Sequence, residues 1–169
     1  SMGIYAVMPL FLVSEMGLDR PWANTLIGLS RSLGILALFI SGIMIDRIGP
    51  IRALTAFMVT TAVFTVLIGI IPGATAVSIL VFFQAGFGIC LFPTGFTIVS
   101  LLFPERVRGV AVSLVIFMGF LFGAGVLPSA IGYWAEAFSF ASGFAIMGII
   151  TLALIPFFRR ATSRLNLGR

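Results

Sequence analysis

A single arginine, Arg31, lies within residues 23–45, an apolar stretch that contains no other charged residue. As a helix, this stretch is long enough to cross a hydrocarbon core about 30 Å thick. A guanidinium inside that core is costly unless it faces protein or water, so an arginine at this depth indicates a functional site. Arg31 is therefore the first candidate for binding a polar solute.

Three uncharged polar residues are further candidates for substrate binding. Asn24 precedes Arg31 by seven residues, which places both side chains on one face of a helix. Tyr5 lies near the expected midplane of its segment, and Gln84 is the only amide in the segment that contains it. The hydroxyl and the amide can each hydrogen-bond a small polar solute.

Each candidate also has a structural interpretation. Arg31 can extend toward the outer headgroups or pair with a loop carboxylate, Glu15 or Asp19, but the reach of roughly 10 Å along the helix favours a binding role. Tyr5 and Gln84 can equally satisfy a neighbouring helix, and for Gln84 this is the commoner outcome in membranes. We therefore rank Tyr5 and Gln84 below Arg31.

The composition indicates which elements must position these side chains. Hydrophobic residues make up 60% of the 169 residues and charged residues 9%, and the mean hydropathy is +1.23. These values leave too little polar surface to cover a water-soluble protein. The sequence therefore predicts an all-α integral membrane protein that crosses the bilayer several times.

The composition also excludes several classes of function. The chain has no histidine, one cysteine and no acidic residue within the apolar segments. No nucleophile–base pair or metal cluster can be assembled, so we predict no enzyme activity, no metal and no cofactor. The net charge of +5 comes from arginines that lie mainly in short turns and a tail, so we expect no nucleic-acid partner.

Six apolar segments follow one another along the chain. Their uniform hydrophobicity and length predict transmembrane helices rather than the alternating strands of a barrel. The segments comprise residues 2–13, 23–45, 53–71, 74–103, 110–133 and 138–158. Short connections with turn residues separate them, at residues 14–21, 46–52, 72–73, 104–109 and 134–137.

The arginines predict the orientation of these helices. The connections on one side, together with the tail, hold eight arginines, whereas the other side holds only Arg20. The positive-inside rule places the arginine-rich side and both chain ends in the cytoplasm, as in a multi-pass protein of a bacterial inner membrane. We assign residues 1–160 to a six-helix transmembrane domain and residues 161–169 to a basic cytoplasmic tail.

Two features suggest how the domain is built. The first segment is several residues too short to cross a bilayer, so we expect the chain to be a piece of a longer protein, cut within or just before its first helix. A glycine followed four residues later by an acid ends the second helix (Gly42, Asp46) and the fifth (Gly132, Glu136). These helices end on opposite sides, a pattern typical of two inverted three-helix repeats.

The sequence GIMIDRIGPIR at residues 42–52 resembles the cytoplasmic signature of the major facilitator superfamily. In that family a strong copy joins helices two and three, and a degenerate copy joins helices eight and nine. Pro50 and Ile51 stand where basic residues are usual, which favours the degenerate copy. PERVRGVA at residues 104–111 resembles the turn between helices ten and eleven. The chain thus resembles the carboxy-terminal half of such a transporter, helices seven to twelve.

This resemblance implies a partner and a substrate class. The partner is a missing amino-terminal six-helix half, with substrate bound at the midplane between the halves in the lipid bilayer. Several anion-carrying branches place a binding arginine in the eighth helix, which implies that Arg31 binds a carboxylate or an inorganic anion bidentately. Any proton-coupling carboxylate would lie in the missing half; otherwise transport runs by exchange or with another coupling ion.

Two further groups of residues are predicted to act during transport. The gating and signature group comprises Gly42, Asp46, Arg47, Gly49, Arg52, Glu105, Arg106 and Arg108, since ionic contacts of such turns form in one conformation and break in another. The helix-packing and hinge group comprises Gly86, Gly88, Pro93, Gly119, Gly123, Gly125 and Pro128.

The main hypothesis is half of a secondary active transporter, a symporter or antiporter, that moves a small anion by alternating access. One alternative is an exporter of apolar or cationic compounds in which Arg31 is structural. Another is a membrane scaffold that does not transport and pairs through its glycine-rich faces. A buried charge gives such a scaffold no benefit, so Arg31 argues against it.

Overall fold

A computed structural model describes residues 2–162, and all regular structure in this range is helical. A bilayer favours this outcome because every backbone N–H and C=O group must be satisfied within the helix. In chain order the helices are α1 (Met2–Ser14), α2 (Arg20–Ile48), α3 (Pro50–Ile70), α4 (Ala74–Ile89), α5 (Leu91–Leu102), α6 (Glu105–Phe120), a π-helical segment (Leu121–Val126), α7 (Leu127–Ala137) and α8 (Phe140–Thr162).

The predicted all-α membrane fold is confirmed. Five helical stretches are long and apolar enough to cross a bilayer, namely residues 20–48, 50–70, 74–102, 105–137 and 140–162. Helix α1 is shorter, at 13 residues. The predicted basic tail lies outside the described residues except for Ala161 and Thr162, which still belong to α8.

The predicted connections are wrong in length, because several expected turn residues continue the helices. Between α2 and α3 only Gly49 is not helical, with a φ of 84° that favours glycine. Its N–H donates to the Ile45 carbonyl and its carbonyl accepts from the Ala53 N–H, each at 3.0 Å. Pro50 then begins α3, where a missing N–H costs nothing. The signature turn is therefore a single residue.

Two of the predicted continuous helices are interrupted. Cys90 separates α4 from α5, and its thiol donates to the Ala37 carbonyl of α2 at 3.2 Å. The π-helical segment separates α6 from α7 and contains two glycines, at positions 123 and 125. Such a segment disturbs the regular hydrogen-bond pattern and often accompanies a functional site.

Helices α3 and α8 pack with their backbones in contact. A Cβ atom at Gly69 would lie 2.6 Å from the Ala145 nitrogen, and one at Gly148 would lie 2.8 Å from the Val66 nitrogen. No larger side chain fits at either position without moving the helices apart. Glycine is thus what allows α3 and α8 to form the most extensive helix pair in the described chain.

The main core joins α1 to α2, α3, α4, α7 and α8. Met8 and Phe11 of α1 are fully buried, and the Phe11 ring contacts the Phe144 ring of α8 edge to face, with centroids 5.0 Å apart. The loop after α1 adds a polar link. The Glu15 carboxylate accepts hydrogen bonds from the N–H groups of Phe140 and Ala141, at the start of α8. Helix α1 is thereby fixed at its carboxyl end.

Candidate functional site

A cavity of about 400 Å³ lies where α1, α2, α4, α5 and the π-helical segment meet. Its size suits a small organic ligand. Its walls are mostly apolar, and Arg31 is the only charged residue among the described residues that line it. The lining consists of Tyr5, Ala6, Arg31, Ala85, Gly88, Ile89, Phe92 and Ala124.

Arg31 is exposed and forms no hydrogen bond or ion pair with any residue in the described range. Neither carboxylate considered as a structural partner pairs with it. Glu15 accepts hydrogen bonds from the start of α8, and Asp19 is exposed at the end of the loop before α2. The guanidinium therefore presents its donors to the cavity, where a carboxylate or another oxyanion can accept them.

The other two ranked candidates, Tyr5 and Gln84, are directly bonded to each other. The Tyr5 hydroxyl donates to Oε1 of Gln84 at 2.6 Å, and Nε2 of Gln84 donates to Oγ1 of Thr65 on α3 at 3.1 Å. Gln84 is fully buried and does not line the cavity. It thus links α1 to α3 through hydrogen bonds, while Tyr5 also lines the cavity.

Asn24 lies apart from this group. It is exposed, seven residues before Arg31 on α2, and does not line the cavity. The common face expected for Asn24 and Arg31 therefore does not bring both side chains into one site within the described residues.

The residues predicted to act in gating lie at the ends of α2, α3 and α6. Asp46, Arg47 and Arg52 are exposed, and a Cβ atom at Gly42 would meet no described atom within 4 Å. On α6, the exposed Glu105 and Arg106 belong to the first turn, and the half-buried Arg108 has an Nε atom without a hydrogen-bond partner in the described range.

The predicted hinge residues flank the two helix interruptions. Gly88 precedes the break at Cys90 and Pro93 follows it, while Pro128 follows the π-helical segment. Some of these glycines provide close packing and others do not. Gly86 faces Leu33, and the Gly123 carbonyl faces Gly3, whereas Gly119 and Gly125 face open space. Gly88 is buried and lines the cavity.

Two polar contacts, one beside the site and one away from it, were missed from the sequence. Thr65 is one of several threonines in an apolar helix, and nothing in its spacing indicates that it binds Gln84. Glu15 lies 125 residues from Phe140. A capping residue is ordinarily sought within the helix's own first turn, so this distant contact has no local sequence signal.

Comparison with known proteins establishes the family. A family model described as the Major Facilitator Superfamily matches residues 1–167. The chain belongs to this superfamily. It is also similar to a cis,cis-muconate transport protein of Acinetobacter baylyi (strain ATCC 33305 / BD413 / ADP1), with 31% identity over 153 residues, which cover 86% of this chain and 36% of that protein.

Membership of the Major Facilitator Superfamily and this relative indicate a transporter rather than an enzyme. The helices that are long enough to span a bilayer agree with a multi-pass integral membrane protein. The chain spans just over a third of the relative's length, since 36% of that protein is covered. The superfamily resemblance detected in residues 42–52 and 104–111 is thereby confirmed.

Proposed function

We propose that this chain is the carboxy-terminal half of a secondary transporter that carries a small organic anion by alternating access. The observation that supports the proposal is the unpaired Arg31 guanidinium on the wall of the cavity. Because an unpaired charge at membrane depth is expensive, it is retained when a ligand or a second protein surface compensates for it.

The chemistry of the cavity favours a carboxylate. The guanidinium binds both oxygens of a carboxylate at once, and the apolar walls accommodate a short hydrocarbon skeleton. The similar protein of Acinetobacter baylyi is named for cis,cis-muconate, whose anion is a small dicarboxylate. The volume of the cavity, the positive charge of Arg31 and the substrate in the relative's name thus all support an organic acid anion as the substrate.

The transport cycle requires a second half. The exposure of Arg31 and the open space at Gly42 support an amino-terminal six-helix half that covers this side of α2. Substrate then binds between the halves, and their relative rotation exposes the cavity to each side in turn. Asp46 and Arg47, at the end of α2, lie where ionic contacts between the halves form in one state and break in the other.

The proposed function is tested by substitution of Arg31 in the complete transporter. Arg31→Lys keeps the charge but loses the bidentate fork, so anion binding weakens by about 1.5–3 kcal/mol, the scale of one charge-assisted hydrogen bond. Arg31→Gln abolishes anion binding. Both variants keep the melting temperature, since Arg31 has no partner in the described chain whose loss would destabilise the fold.

The same variants distinguish the alternatives. In an exporter with a structural Arg31, both substitutions lower the melting temperature, lysine less than glutamine, and affinity per folded molecule is unchanged. In a scaffold, no saturable anion binding is measured with the unsubstituted protein. Asn24→Ala, exposed on the same helix and outside the cavity, serves as the matched control and leaves anion binding intact.

The orientation in the membrane is part of the proposal. We place the loop at Gly49 and the start of α6 in the cytoplasm, because the arginines concentrate there. Single cysteines at Arg52 and Arg106 should react with an impermeant maleimide from the cytoplasmic side only, and one at Asp19 from outside only. Native Cys90 is buried and gives little background. Reaction of all three positions from one side contradicts this arrangement.

A further inference from the structure

A chain of hydrogen bonds with a fixed direction ends at the cavity. It begins at the backbone carbonyl of Thr61, which accepts from the Thr65 hydroxyl at 2.8 Å. A carbonyl oxygen can only accept, so the single hydroxyl hydrogen of Thr65 is committed to this bond. Toward its other neighbour, the Thr65 oxygen can therefore act only as an acceptor.

This commitment fixes the orientation of the Gln84 amide. Thr65 needs a donor from Gln84, so the nitrogen Nε2 faces Thr65, at 3.1 Å, and the oxygen Oε1 faces Tyr5. The oxygen and nitrogen of an amide are assigned from the network around them, and here the backbone carbonyl of Thr61 decides the assignment. Gln84 thus offers Tyr5 an acceptor.

The orientation of Gln84 in turn fixes the role of the Tyr5 hydroxyl. Its hydroxyl hydrogen is donated to Gln84 at 2.6 Å, so the remaining capacity of the Tyr5 oxygen is to accept. Tyr5 lines the same cavity as Arg31, whose guanidinium contains donors alone. The cavity therefore combines a cationic donor with a neutral acceptor.

We infer that this cavity selects a carboxylate anion that also carries an O–H donor, with the carboxylate on Arg31 and the O–H group directed to Tyr5. The inference rests on the proposed anion transport and specifies its substrate class. A hydroxylated monocarboxylate meets both requirements. A dicarboxylate meets them after one of its carboxyl groups takes up a proton, because the dianion offers Tyr5 a second acceptor and no donor.

Four acids with one carbon skeleton test the inference in the complete transporter: ω-hydroxyhexanoate, ω-methoxyhexanoate, hexanoate and hexanedioate. Equilibrium binding of each is measured by calorimetry. We expect ω-hydroxyhexanoate to bind about fivefold more tightly than its methyl ether, the scale of one neutral hydrogen bond. As the pH falls toward the second ionisation of hexanedioate, the affinity for hexanedioate rises relative to that for ω-hydroxyhexanoate, whose carboxylate is already ionised and whose O–H donor is present throughout.

Two substitutions test the role of the hydrogen-bond direction. Tyr5→Phe removes the acceptor and brings the ratio of hydroxy to methoxy affinities to about one. Thr65→Val removes the group that orients Gln84, so the amide can reverse and Tyr5 can donate to the ligand; the ratio then falls toward one as well. Thr65→Ser retains the hydroxyl and the ratio, and is the matched control. Because the ratio is taken within one variant, it does not depend on the folded fraction.

The outcomes separate this inference from the proposed function. Equal binding of the hydroxy acid and the methyl ether by the unsubstituted protein overturns the inference, as does an unchanged ratio in Tyr5→Phe. Either result leaves anion binding by Arg31 standing. Failure of all four acids to bind overturns the proposed function instead. If Thr65→Val does not fold, Tyr5→Phe decides alone.

Discussion

Helices α3 and α8 touch through backbone atoms at Gly69 and Gly148, whereas beside the cavity α1, α4 and α3 are linked by the polar side chains of Tyr5, Gln84 and Thr65. In the first region the absence of a side chain brings two helices together. In the second, Gln84 joins α1 to α3 through hydrogen bonds to Tyr5 and Thr65, and Tyr5 lines the cavity. Helix α3 belongs to both regions, with Thr65 and Gly69 one turn apart along it.

This difference shows how a membrane domain can combine a rigid part with a binding part. Backbone contact tolerates almost no change of distance between helices, because nothing at the interface can adjust. Side-chain hydrogen bonds tolerate small rearrangements and also define where donors and acceptors face. We therefore expect substitutions in the α3–α8 pair to affect stability most, and substitutions around the cavity to affect ligand selection as well.

Gly69→Ala is expected to have the largest effect on stability. The new Cβ would lie 2.6 Å from the Ala145 nitrogen, and backbone cannot move aside cheaply. Overpacking of this kind should destabilise the protein by about 3 kcal/mol, seen as a lower melting temperature in detergent. Gly132→Ala, whose Cβ would meet no described atom within 4 Å, is the matched control and should not lower it. Equal melting temperatures for the two variants would show that the α3–α8 contact is not the rigid part.

Gln84→Leu should have a smaller effect, about 2 kcal/mol, because it leaves the buried Tyr5 hydroxyl without an acceptor. The triple variant Tyr5→Phe, Thr65→Val, Gln84→Leu removes every side-chain polar group that this link joins, and stability should largely return. Chemical or thermal unfolding of the two variants measures the difference. A triple variant no more stable than Gln84→Leu would mean that volume, not hydrogen bonding, dominates this region.

Glu15→Ala tests the contact that joins the end of α1 to the start of α8. The carboxylate accepts from the first N–H groups of α8, so its loss should cost about 1 kcal/mol, as for other helix caps. Glu136→Ala removes an exposed carboxylate in the neighbouring helix and provides the comparison. Hydrogen exchange at Phe140 and Ala141 should accelerate in the first variant only; acceleration in both would assign the effect to net charge.

Much of the fold was predictable because length and hydropathy alone decide which segments span a bilayer. The six segments were located within a few residues, yet four of the five connections were predicted too long and the one at residues 72–73 one residue too short. Polar residues such as Asp46 and Arg47 resemble turn residues, although a helix can continue through them at a membrane interface. The inverted repeat and the membrane orientation stay predictions.

The site was less predictable. The position of a residue along its apolar segment indicates its depth in the membrane, but the sequence does not indicate how each helix is rotated about its own axis. Arg31 was chosen from its charge, and the structure places it on the cavity wall; its binding role stays a prediction. Gln84 was chosen as the only amide of its segment, but only the packing of α3 beside α4 reveals that its amide hydrogen-bonds to Thr65. Asn24 shares a helix with Arg31 but not its cavity.

Gly49 is the only residue between α2 and α3, so the chain cannot extend between them. With one residue between a helix of 29 residues and one of 21, their adjoining ends stay within a few ångströms in any conformation. The end of α2 at Gly49 therefore cannot move away without the start of α3, and α3 packs against α8 through backbone contacts. Arg31, far along α2 from this junction, can move independently of α3 and α8 only if α2 pivots about Gly49.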